Sequence, residues 1–242
     1  MGSGTGRKGR GRPAPFSWAA ALALAALAAT APAAPARPLL EARVNVFQPG
    51  CSRADRDDVL AALRAGSQRL EAACAIRLRL GAVYGLPSDG PWCALPPQAA
   101  VRSARLKELA RAAKRPDPGA LALFLLPSGT DPRYSWALVD QSSESACDSP
   151  QEARFLDRLG SLFFTDLCFS LGPGFDGTPR PGLLVLHEVL HALTQRGHPS
   201  GAPRGSVMAD HVADLGPALT PDWCACARRS PYLHAADHSG GR

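Results

Sequence analysis

The apolar positions of this chain change period several times, and each change marks a new element. "VNVF" (Val44 to Phe47) is short and apolar and reads as a first strand. The next stretch, from Ser52 to Cys74, places Val59, Leu60, Leu63 and Leu70 on one helical face. Ser52 is its expected cap, and acidic residues crowd its first turn. "IRLRLGAVYG" then alternates as a half-exposed strand does. A second helix, "AAVRSARLKELARAAKR", is stopped by "PDPG".

"ALALFLLP" is apolar throughout and bounded by turn residues, which predicts a fully buried strand. "YSWALVD" reads as a further strand. "EARFLDRLGSLFF" fits a helix better than a strand. After the long loop "SLGPGFDGTPRPG" comes an apolar helix, "GLLVLHEVLHALTQR", with Pro181 in its first turn and Gly197 at its end. "ALTPDWCACARRS" closes the pattern as a last helix, with Thr220 as cap and Pro221 as first residue. Strands and helices in this order predict a mixed α/β, or α+β, domain built on a mixed sheet.

The first 36 residues stand apart. Arg7, Lys8, Arg10 and Arg12 precede an Ala-rich apolar stretch and two small-residue cleavage options, ending at Ala31 and Ala36. That order is a signal peptide, with an apolar core too short for a stable membrane span. Residues 37–242 then form the expected single domain, with a polar tail from about residue 231. Little chain separates the cut from the first strand, so no folded pro-domain is expected. The formal net charge is +6, but without the four leader charges it is +2, no footprint for nucleic acid or an anionic membrane. Seven cysteines follow the leader; in an exported chain they predict about three disulfides and one free thiol. Neither Cys224 with Cys226 nor Cys51 with Cys74 is a comfortable pair.

The chemistry concentrates in Leu183–Asp210. His187 and His191 are one helical turn apart on one face, as two imidazoles gripping one Zn²⁺ must be. Glu188 lies about 100° away round the helix, placed to serve a water as general base. Zinc needs a third protein ligand. No glutamate follows Glu188, so the candidates are histidines and aspartates. His198, between Gly197 and Pro199, is favoured, because a left-handed turn at Gly197 can send it back toward the helix. His211, Asp210 and Asp214 are the alternatives. His234 and His238 read as exposed and without a role, and Tyr232 as an unsupported oxyanion donor.

"HEVLHALTQRGH" followed by "SVMAD" resembles the signature of the metzincin metallopeptidases, HExxHxxGxxH and a Met-containing turn. His187, Glu188 and His191 match position by position, and Met208 matches the Met-turn. Thr194 stands at the family's glycine position, and His198 comes one residue late. The resemblance is to an atypical metzincin, of the kind found among small exported bacterial proteins. It implies a mixed twisted sheet with two long helices, an active-site helix, a Met-turn and a C-terminal helix. It also implies one catalytic Zn²⁺ and a secreted or periplasmic peptidase, expected to be monomeric, acting on peptide or protein substrates. The other reading is a secreted, disulfide-stabilised zinc-binding or interaction module with little turnover.

Overall fold

Strand β1 (Leu40–Pro49) lies inside a sheet to which every other strand connects. The computed structural model describes residues 37–96, 98–129, 133–138, 160–199 and 201–236; the leader, Cys147 and His238 lie outside them. Beside β1 run β2 (Ile76–Leu86) and β3 (Leu121–Leu126), both parallel to it. β5 (Ser161–Thr165) pairs parallel with β3, and β4 (Ser135–Ala137) pairs antiparallel with β5. The strand order is β2-β1-β3-β5-β4, and β6 (Leu233–Ala235) adds antiparallel to the start of β1. With four α-helices among the described residues, the architecture is mixed α/β, consistent with a metzincin-like α+β arrangement.

The helices are α1 (Arg56–Cys74), α2 (Ala99–Lys114), α3 (Arg180–Thr194) and α4 (Pro221–Ala227). Two expectations need correction. The cap of α1 is Asp55, whose carboxylate accepts from Asp57 N and Asp58 N. Ser52 instead donates to Asp166 Oδ1 at 2.7 Å and accepts from Ala54 N. Of the stretch 152–164, expected to be helical, residues 152–159 lie outside those described, and residues 161–164 belong to β5, all five of whose residues are buried. A short apolar run has no period that separates a buried strand from a buried helix, and here pairing with β3 decides.

The five strands β2-β1-β3-β5-β4 feed two cores. Leu121, Leu123 and Leu125 of β3 pack with α1, α3 and α4 on one face. Ala122, Phe124 and Leu126 pack with Leu106 and Ala110 of α2 on the other. The α2 face carries a row of rings, one per strand: Tyr84, Phe47, Phe124, Phe163 and Trp136. Successive centroids are 4.8, 4.8, 5.3 and 5.1 Å apart, close to the spacing of paired strands, because each ring is the register partner of the next.

On the opposite face α1 and α3 meet through small residues. A Cβ on Gly182 would lie 2.8 Å from Ala65 Cβ, and one on Gly66 would lie 3.0 Å from Gly182 O. This close approach brings α3 fully inside: every residue from Pro181 to Thr194 is buried. Two disulfides brace the assembly, Cys51–Cys93 between the loops after β1 and β2, and Cys74–Cys224 between the end of α1 and the middle of α4. The second closes a span of 150 residues, a constraint worth about 4–5 kcal/mol in the chain-entropy account. Cys226 is also disulfide-bonded, and Cys168 is a buried free thiol.

Candidate metal centre

α3 is apolar all round because it is enclosed all round, so its polar side chains need partners. His187, Glu188 and His191 are each no more than 6% exposed. His187 Nδ1 donates to the Val207 carbonyl at 2.7 Å, and His191 Nδ1 to the Arg196 carbonyl at 2.5 Å. A carbonyl accepts only, so the ring proton of each sits on Nδ1 and Nε2 presents a lone pair.

His198 completes the group. Its Nε2 lies 3.0 Å from His187 Nε2 and 3.1 Å from His191 Nε2, and those two are 3.1 Å apart. Its Nδ1 faces Asp210 Oδ1 at 3.4 Å, an acceptor that orients the ring in the same way. Three Nε2 lone pairs thus converge on one point. Burial, then the neighbouring His191, pushes His187 down to about 3, and burial pushes His191 down to about 4. Protons are poor occupants of such a point; a Lewis-acidic cation is a good one. Tetrahedral Zn²⁺ with N ligands at 2.0–2.1 Å needs nitrogens about 3.3 Å apart, so the triangle fits to within a few tenths of an ångström. Among the described residues no other three His, Cys, Asp or Glu side chains converge in this way.

The route to His198 departs from the expected one. The helix does not run to Arg196, and Gly197 does not make the left-handed turn. α3 ends at Thr194, and Gln195 takes the left-handed conformation at φ 56°, its N–H bonded to the His191 carbonyl. Gln195 precedes His198 by three residues, the interval between glycine and third histidine in the metzincin signature. Nothing lies within 4 Å of a Cβ built on Gly197, so that glycine has no steric task.

Of the alternative third ligands, Asp210 and His211 line the cleft but are outside the histidine cluster, and Asp214 pairs with Arg204 at 3.1 Å. Met208 is buried in a tight turn, its N–H donating to Ser206 Oγ. The preceding carbonyl, Val207, receives the His187 proton, which ties the turn to the site. Gly205 and Gly216 fix that segment. Gly205 has a φ of 82°, and a Cβ on Gly216 would lie 2.5 Å from the Gly205 backbone. Tyr232 is buried away from the cleft, 3.5 Å from Lys114 Nζ, and His234 is exposed on β6.

Glu188 faces the opposite wall. The cleft, about 590 Å³, runs between α3, β4 and the segment around Asp210. Ser135 Oγ donates to Glu188 Oε1 at 2.8 Å. Burial pushes Glu188 up to about 7, partly offset by Ser135, the charge of Arg133 and the Ala137 amide. Sequence reasoning missed Ser135, Ala137 and Arg133. The only signal was that Ser135 and Ala137 alternate with Trp136 in an apolar strand.

No family model matches the sequence, and no curated protein matches it. Among solved structures, the chain is similar to metalloproteinase-II from Bacteroides fragilis, at 11% identity and a TM-score of 0.49 over 77% of this chain. It is also similar to one titled as a chaperone-substrate complex, at 10% identity and a TM-score of 0.45 over 82% of this chain. The alignments span 52% and 36% of those chains.

Proposed function

We propose that this protein is an exported zinc-dependent metallopeptidase that hydrolyses peptide bonds, freed from residues 1–36 on export and working as one domain and one chain. The observation that carries this reading is the convergence of three imidazole Nε2 atoms at 3.0–3.1 Å beside a buried carboxylate at the wall of an open cleft. His187, His191 and His198 would hold the metal. When bound there, zinc supplies a Lewis acid that polarises a scissile carbonyl and brings the pKa of water down to about 7. Glu188 takes a proton from the attacking water and passes it to the departing amine. Two described disulfides fit an oxidising environment, and no helix among the described residues is long and apolar enough to cross a membrane.

Glu188→Gln tests the proposal. Zinc content should stay at one per chain while peptide cleavage falls by about 10²–10⁴. Equal, measurable cleavage by wild type and variant defeats the assigned role of Glu188. Zinc binding with no turnover in either leaves the metal-binding module as the function.

A further inference from the structure

On the reading of His187, His191 and His198 as metal ligands, the chain between the last two must hold its shape while leaving the core. α3 ends at Thr194, and Gly197, His198 and Pro199 are exposed. Arg196 is the last half-buried residue before the third histidine. Its carbonyl is the acceptor for His191 Nδ1, and two residues later the chain delivers His198 to the same point. A carbonyl can orient an imidazole only if its own backbone is held still. The Arg196 N–H donates to Thr194 Oγ1 at 3.3 Å. The Arg196 side chain reaches across to α4. One guanidinium nitrogen lies 2.7 Å from Asp222 Oδ2, and the guanidinium carbon lies 5.9 Å from the centre of the Trp223 ring. That buried indole also meets the His191 ring at 87°, with centroids 6.4 Å apart. α4 is itself anchored: Cys224 is bonded to Cys74, and Arg228 donates to the carbonyls of Cys74, Ala75 and Pro38 at 2.8–3.0 Å.

We infer that α4 is a strut for the metal centre: Asp222 and Trp223 hold the Arg196 side chain, and the Arg196 backbone so placed orients His191 and sends the chain on to His198. The three are positioning residues, acting through the two histidines, and none of them lines the cleft. Asp222 is largely exposed, so its ion pair contributes little to folding stability. Its effect belongs at the ligands. An exposed turn carrying the third histidine thereby borrows rigidity from a helix tied to the end of α1 and the approach to β1.

The test measures zinc affinity by chelator competition on the full chain. Arg196→Ala and Asp222→Ala should each weaken zinc by about tenfold, the lower end for outer partners of a ligand, because the carbonyl is loosened rather than removed. The double alanine variant should be no worse than either single, since both break one link. Exchanging the charges, Arg196→Asp with Asp222→Arg, should recover most of the affinity that either reversal alone loses. Urea unfolding of the metal-free chain should barely move in any variant. The second readout needs no metal. Nitrogen NMR of the His191 ring above neutral pH should place the proton on Nδ1 in wild type and show a mixture of tautomers in Arg196→Ala. The inference is overturned if both alanine variants bind zinc like wild type, if their losses add, if stability falls in step with affinity, or if the His191 tautomer is unchanged. Should wild type bind no zinc, the reading of the metal centre fails, while the His191 tautomer still decides whether α4 positions that ring.

Discussion

The two faces of the sheet are made from the same strands and do different work. The α2 face is a continuous apolar contact, five stacked rings under Leu106 and Ala110, with Trp92 stacked on Phe124. The α1/α3 face is also apolar over most of its area, yet it contains the buried His187, Glu188 and His191. On the first face each residue is satisfied by packing alone. On the second, His187, His191 and Glu188 are each held by a partner outside their own helix: Val207, Arg196 and Ser135. Chemistry on this scaffold therefore depends on non-local contacts made to a locally encoded helix.

The comparison breaks most sharply at the third histidine. His198→Ala should weaken zinc binding by more than about a hundredfold, since two imidazoles leave the tetrahedron half empty. His211→Ala and Gly197→Ala should leave bound zinc after dialysis almost unchanged. Zinc kept by His198→Ala and lost from His211→Ala refutes the assignment. The next largest effect belongs to the other face. Phe124→Ala removes the middle ring and should cost about 3–5 kcal/mol in urea unfolding, while the folded fraction still binds one zinc. A loss of zinc equal to the loss of stability would show that the faces are not separable.

The smallest effect is in pH. In the metal-free chain His187 and His191 titrate at about 3 and about 4 when folded, below the ordinary 6.5. The unfolded chain binds those protons first, so their stability is intact above about 6.5 and is lost as pH falls toward 4. Glu188 acts in the opposite sense: its folded value, about 7, exceeds 4.5, so stability is lost as pH rises from 4.5 to 7. Thermal melting between pH 7 and 4.5 should therefore fall more steeply in Glu188→Gln than in wild type. Parallel curves would remove the carboxylate from this balance.

What was legible in the sequence was local. The i, i+4 histidines, the intervening glutamate and the apolar period of α3 all lie within one helix, and Leu121–Leu126 announced itself by composition. What was not legible was set across the fold. Ser135 meets Glu188 from 53 residues away, and nothing in "RYSWAL" points to a carboxylate. β5 carries no amphipathic period because both its faces are buried. The helix end was placed at Gly197 on the general preference for glycine, whereas Gln195 adopts the left-handed turn and donates its N–H to the His191 carbonyl. Ser52 and Asp55 are both of residue types that cap well, and only the engagement of Ser52 by Asp166 separates them.

The ring row has an evolutionary consequence. Each of its inner members, Phe47, Phe124 and Phe163, is sandwiched between rings from both neighbouring strands. An aliphatic replacement at one position strips two neighbours of a stacking partner at once, so single changes are penalised twice and compensation must come from the adjoining strands. Drift at these sites is thereby correlated. Descendants of this chain should keep the five rings as a block or exchange them as a block, and the three-residue strand β4 inherits its fidelity from that collective constraint.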